Sequence, residues 1–367
     1  MTLWRIYQGV DEPHDRIADL PPPPPWREFD GGADGALARV DRDAVGGGRR
    51  RLPRRAAYRA DERTVDAVNT ALYLRRPLLV SGDPGVGKST LADAVARELR
   101  LGPVLRWSVN SRTTLRDGLY RYDSLGRLED AGLARHHPPA GALAGAPVPG
   151  TPAAATSDPG APPPAPSAPF ADLGRYVSLG PLGTALAPYA LPRVLLIDEI
   201  DKGDLDLPND LLDVFEEGGF EIPELTRAAD QQPTVAVRPH DGGAAVSVTR
   251  GSVQCRAFPF VILTSNGERE FPPAFLRRCI RLHLPSAHQD GERLRAIVEA
   301  HLPGAGAAAE AAVGAFLARA ATGELSTDQL LNAVYLLSPS GGAAGADRER
   351  LVDLVMQHLN DSAPGRP

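Results

Sequence analysis

The sequence predicts a three-layer α/β fold built on a parallel sheet, followed by an all-helical domain. Three observations carry this. Short apolar runs rich in β-branched residues, Val194-Leu195-Leu196-Ile197 and Phe260-Val261-Ile262-Leu263-Thr264, read as strands buried on both faces. Stretches of helical periodicity separate such runs. From about residue 288 to the end only helical patterns remain.

Residues 1–57 show no sustained period. Pro21 to Pro25 run into Trp26 and form a stiff, extended segment. It reads equally as a recognition arm for a partner and as a tether packed on the domain surface. A basic cluster follows: Arg49-Arg50-Arg51, Arg54, Arg55 and Arg59, with Tyr58 as its only interleaved aromatic. Sparse aromatics favour a solvated linker over a nucleic-acid patch. Val65, Val68 and Leu72 put one apolar face on a helix over 61–74. A strand over 77–81 precedes a glycine-rich turn, a helix over 88–99 and a strand over 104–109.

Residues 138–169 hold 11 prolines and one charged residue, Asp158. That composition cannot offset its ordering entropy, which predicts a disordered insertion inside a domain. After the strand at 194–197, Pro208 opens a helix containing Leu211, Leu212, Val214 and Phe215. Val235-Ala236-Val237 and Ala245-Val246-Ser247-Val248 flank Asp241-Gly242-Gly243 as a hairpin. Strands follow at 260–264 and 280–284, then helices near 290–302, 307–321, 326–337 and 347–359. The expected division is an extension over 1–57, a core over 58–285 and a helical lid over 286–362. The core carries the insertion at 138–169 and the hairpin insertion at about 222–257.

With 367 residues, 43% hydrophobic and 23% charged, the chain has the composition of a soluble globular protein. Its net charge of -6 argues against a protein that coats nucleic acid. Two cysteines, Cys255 and Cys279, exclude a disulfide scaffold and a cysteine-rich zinc module. No apolar run reaches the length of about 20 residues that a membrane helix requires. No secretory signal follows Met1, so the expected compartment is the cytoplasm. The chain contains only two lysines, Lys88 and Lys202.

One of those lysines completes a pattern. Gly82-Asp83-Pro84-Gly85-Val86-Gly87-Lys88-Ser89 fits G-x-x-x-x-G-K-[ST], with a strand before it and a helix after it. Glycines let successive backbone N–H groups face one point, and the helix start adds its positive end there. Lys88 would reach the β- and γ-phosphates, and Ser89 would ligand Mg²⁺. Thr90, next on the helix, completes the phosphate-binding set. Asp198 and Glu199 end a buried strand, where an open α/β sheet places its ligand crevice. Asp198 would hold the cation and Glu199 would polarise an attacking water.

A phosphate loop, hydrophobic-Asp-Glu, a strand ending Thr264-Ser265-Asn266 and a helical tail together resemble AAA+ ATPases. Leu195 to Lys202, with Val214-Phe215-Glu216-Glu217-Gly218 after it, is similar to the MoxR-type branch over roughly residues 58–340. The resemblance implies that Asn266 positions the attacking water. It implies that Asn110 restrains the catalytic Glu199 until the site is assembled. Pro273-Ala274-Phe275-Leu276-Arg277-Arg278-Cys279 resembles the segment ending in an arginine finger, with Arg278 the first choice and Arg277 the second. The usual basic lid residue is not evident, because Leu325-Ser326-Thr327-Asp328-Gln329-Leu330 carries an acid there.

The family implies ATP and Mg²⁺ bound between the subunits of a hexameric ring. It implies hydrolysis that remodels or activates a partner protein, such as one with a von Willebrand factor A domain. A multi-component bacterial conflict or defence system is the setting it suggests. The rival reading is a nucleic-acid-associated motor subunit of the McrB kind, using GTP. The Arg49–Arg59 cluster favours that rival and the acidic net charge disfavours it.

Overall fold

Asp61 starts the first helix by accepting a hydrogen bond from the Thr64 backbone N–H, which leaves one fewer unpaired donor at the helix start. The computed structural model describes residues 4–10, 12–31, 37–44, 60–136, 173–285, 291–302, 304–320, 325–338 and 346–356. The predicted insertion at 138–169 and the arginine cluster at 49–59 lie outside the described residues.

Five strands form the main sheet: β1 (Leu78–Ser81), β2 (Leu105–Ser108), β5 (Val194–Asp198), β10 (Phe260–Ser265) and β11 (Ile280–His283). Their order is β11-β1-β10-β5-β2 and every pairing is parallel. Alternation along each strand divides the core in two. Leu79, Leu105, Trp107, Leu195, Ile197, Val261 and Leu263 pack on one face. Leu78, Val80, Val194, Leu196, Phe260 and Ile262 pack on the other. That second face is covered by α1 (Glu62–Leu74) and α2 (Lys88–Glu98) through Val65, Val68, Leu72, Leu91 and Val95. The first is covered by α6 (Leu207–Glu217) through Leu211, Leu212 and Phe215. The glycine loop follows β1, an interior strand, and a parallel sheet flanked by helices is the α/β architecture that the sequence predicts.

Short elements depart from the sequence reading. Between α3 (Leu115–Leu119) and α5 (Pro181–Ala185), β3 (Tyr120–Tyr122) pairs antiparallel with β4 (Val177–Leu179). The helix α4 (Ser124–His136) leads out of β3 toward the proline-rich stretch. The end of β3 at Tyr122 therefore lies beside the start of β4 at Val177. The predicted hairpin is half of a larger unit. β7 (Thr234–Val237) and β8 (Val246–Thr249) join β6 (Gly219–Glu221) and β9 (Ser252–Gln254) in a four-stranded antiparallel sheet. One more short helix, α7 (Pro223–Thr226), lies within it, and α8 (Pro273–Arg278) follows β10.

The lid consists of α9 (Gly291–His301), α10 (Gly306–Ala320), α11 (Thr327–Leu337) and α12 (Ala346–Val355). Leu294, Val298, Val313, Phe316, Leu330 and Val334 form its separate core. Among the described residues no helix is long and apolar enough to cross a membrane.

The described part of the amino-terminal extension is packed on the core. Ile6, Tyr7 and Ile17 are buried with α1 and α2. The Asn69 carboxamide accepts hydrogen bonds from the Ile6 and Tyr7 N–H groups and donates to the Tyr7 carbonyl. Glu98 accepts from the Gln8 and Val10 N–H groups. Asn69→Ala should leave buried N–H groups unpaired, each worth about 1–3 kcal/mol. The expected result is earlier proteolytic cleavage within the first 20 residues and a lower melting temperature, with the core otherwise intact.

Both cysteines are buried and free, and burial pushes each thiol up to about 12. Neither should react with a thiol reagent at neutral pH until the protein unfolds. Rapid labelling of the native protein would contradict the packing around α8 and β9.

Candidate functional site

Parallel register brings four strand ends to one edge of the sheet. Ser81 lies beside Ser265, and Ser108 beside Asp198. The loop after β1 fits this edge only with glycine at its tight points. Gly82 has φ +149 and a Cβ there would sit 2.6 Å from the Leu284 carbonyl oxygen. Gly85 has φ +81 and its Cβ would sit 2.9 Å from the Thr327 backbone nitrogen, so the start of the lid helix α11 closes on the loop. Val86 is buried beneath the loop, Asp83 and Pro84 are exposed, and Thr90 is half-buried on the first turn of α2. The loop therefore delivers its backbone N–H groups to the positive end of α2.

Lys88 is buried under this loop. Its Nζ donates to the Gly82 carbonyl at 2.6 Å, the Asp83 carbonyl at 2.9 Å and the Asn266 Oδ1 at 2.7 Å. Burial lowers its pKa, and the charges of Asp201, Asp83, Asp198 and Glu199 oppose that. The predicted phosphate lysine and the predicted water-positioning asparagine are thus in direct contact.

Ser89 and Asp198 also meet. The serine hydroxyl donates to Asp198 Oδ1 at 2.8 Å. Thr264 donates to the same oxygen at 2.6 Å, and its own oxygen accepts from the Glu199 N–H at 2.9 Å. Among the described residues no cluster of three metal-ligating side chains occurs. A hydroxyl beside one carboxylate nonetheless suits Mg²⁺, which takes its remaining ligands from phosphate oxygens and water. Thr264→Val should leave Asp198 with one donor fewer and the Glu199 N–H unpaired. The expected result is a loss of turnover of roughly 10- to 100-fold with the fold retained.

Glu199 stands at φ 60 and ψ 48, a left-handed conformation that is costly for a side-chain-bearing residue. That turn swings its carboxylate out of the strand line to the Lys202 Nζ, 3.0 Å away. The contact raises the Lys202 pKa.

Not every predicted partner meets. Asn110 follows β2, but its carboxamide oxygen accepts from the Arg112 N–H and its backbone N–H donates to Thr113. Asn110 and Glu199 are not hydrogen-bonded, because one closes a local turn and the other is paired with Lys202. Arg278 donates to Glu216 at 3.0 Å, while Arg277 at the end of α8 is exposed. Among the described residues neither arginine contacts the phosphate loop of its own chain. The lid helix α11 is capped reciprocally by Ser326 and Gln329 and contains no basic residue.

Sequence reasoning missed Thr264, Asp201 and Lys202 as members of the site. Lys202 was signalled by its rarity, and Asp201 by a third acid within four residues of Asp198. Thr264 is near the end of the strand that carries the resemblance, but its contact with Asp198 depends on register.

No protein-family model matches the chain, and no curated protein matches it. Solved structures do. The chain is similar to NtrX from Brucella abortus, determined in complex with ATP, at 15% identity over 82% of this chain and 54% of that one, with a TM-score of 0.34. It is similar to the FIGL-1 AAA domain in complex with ADP at 14% identity over 76% of this chain and 60% of that one, with a TM-score of 0.23. It spans little more than half the length of the NtrX chain.

Proposed function

We propose that the chain is an ATP hydrolase of the MoxR type that uses ATP and Mg²⁺ in the cytoplasm to remodel or activate a partner protein. The observation that carries this reading is the convergence of Lys88, Ser89, Asp198, Glu199 and Asn266 at one sheet edge beside a phosphate-binding loop. Binding of the triphosphate exchanges the carbonyl acceptors of Lys88 for β- and γ-phosphate oxygens. Mg²⁺, held through Ser89 and Asp198, would neutralise phosphate charge. Glu199 leaves Lys202 and takes a proton from water as the water oxygen bonds to the γ-phosphorus. The bond from that phosphorus to the β–γ bridging oxygen breaks, and ADP carries the electron pair away. Asn266 holds the water in line.

Arg278, or Arg277 beside it, acts on the site of a neighbouring copy in a hexameric ring. Arg278 must first release Glu216, whereas Arg277 is already exposed at the end of α8. Closure of α11 on Gly85 links nucleotide state to the lid, and movement of the lid is the output delivered to the partner. A partner with a von Willebrand factor A domain, in a bacterial conflict or defence system, fits this reading.

Hydrolysis measured against protein concentration, with ATP and GTP in parallel, tests the shared site. The expected result is a rate per subunit that rises with concentration. Either Arg278→Ala or Arg277→Ala should remove activity while nucleotide binding survives. A rate independent of concentration and of both arginines would contradict a site completed by a neighbour.

A further inference from the structure

The loop at 265–268 and the Asp198-Glu199 turn are joined by one buried carboxylate that has no role in the chemistry derived above. Asp201 is 3% exposed and lies on the turn Ile200–Lys202, directly after Glu199. A single oxygen, Oδ2, accepts three hydrogen bonds. The donors are the Ser265 hydroxyl at 2.9 Å, the Asn266 N–H at 2.9 Å and the Glu268 N–H at 3.1 Å. The Ser265 oxygen in turn accepts from the Gly267 N–H at 3.0 Å. Residues 265–268 therefore wrap around the Asp201 carboxylate as a nest of donors. Asn266 is fixed by its backbone on one side and reaches Lys88 with its carboxamide on the other.

We infer that Asp201 is a positioning residue for catalysis, which aims the Asn266 carboxamide by holding its backbone against the turn that carries Glu199. The inference rests on the hydrolase reading and deepens it. Three arguments support it. Charge-assisted hydrogen bonds are roughly twice as strong as neutral ones, so three on one oxygen fix the loop closely. The other oxygen, Oδ1, is buried without a hydrogen-bond partner, an arrangement that costs stability and is not needed merely to close a loop. The element held is the one bearing the water-positioning group, and the element holding it follows the general base by two residues. An error of about 1 Å in such a group costs on the order of 100-fold in rate.

The test is a double-mutant cycle in the full chain with Asp201→Ala, Asn266→Ala and the pair together, reading kcat, KM for ATP and melting temperature. Asp201→Ala should lower kcat by roughly 10- to 100-fold with KM within about twofold, and the double variant should be no slower than Asn266→Ala alone. Asp201→Asn keeps an acceptor oxygen in place and should recover most of the lost kcat. If Asp201→Ala does not fold, Asp201→Asn enters the same cycle, with a smaller loss that again vanishes on the Asn266→Ala background. Losses that multiply, or a loss of melting temperature with kcat unchanged, would overturn the inference while leaving the hydrolase reading in place. A wild-type protein that does not hydrolyse nucleotide would overturn both.

Discussion

Lys88→Ala is expected to weaken nucleotide binding and to remove hydrolysis. The Lys88 ammonium is already buried and aimed by three acceptors, two of them carbonyls of the phosphate loop itself. Under the proposed reading its charge is therefore already held where the β- and γ-phosphates would lie. Loss of a charge-assisted contact costs about 1.5–3 kcal/mol in binding, or roughly 10- to 150-fold in affinity. The contact strengthens as charge shifts toward the leaving oxygen, so the loss in kcat/KM should exceed that in affinity, at about 1,000-fold or more. Direct binding of a fluorescent ATP analogue and phosphate release, measured on the same preparation, check this. Alanine also frees the Asn266 carboxamide, so the melting temperature should move little once that group meets water.

Glu199→Gln should separate the two activities instead. Glutamine keeps the size of the side chain and removes its ability to accept a proton. Loss of a positioned general base costs about 100- to 10,000-fold in kcat. ATP affinity should stay within a few-fold, because Lys88, Ser89 and the loop N–H groups are untouched. The variant also loses its ion pair with Lys202, an exposed contact of at most about 1 kcal/mol, so stability should barely change. Trapped, unhydrolysed ATP on this variant is the expected signature.

Parts of this site that depend on local pattern were legible in the sequence. The phosphate loop needs glycine at fixed positions before a lysine, and the Asp198-Glu199 pair ends a strand whose four preceding residues are all apolar. The parallel sheet was legible for the same reason. The parts that depend on register were not. Thr264 reaches Asp198 because β10 lies between β1 and β5, an order that no local pattern encodes. Asp201 looks like one more surface acid until residues 265–268 are seen to wrap around it. Strands of three residues such as β3, β4, β6 and β9 carry too few positions to show alternation. Asn110 and Glu199 are not hydrogen-bonded to each other for a local reason. An asparagine ahead of Ser111-Arg112-Thr113 closes its own turn, and a lysine three residues beyond Glu199 takes the carboxylate.

The activity proposed for this edge of the sheet is binding of ATP with Mg²⁺ and its hydrolysis. Calorimetric titration of Mg-ATP into the wild-type protein and Lys88→Ala, with phosphate release followed in the same samples, tests it most directly. The expected result is saturable binding and continuing phosphate release by the wild type, with binding weakened about 10- to 150-fold and no continuing release by the variant. No binding by the wild type, or binding and release that Lys88→Ala retains, would contradict it.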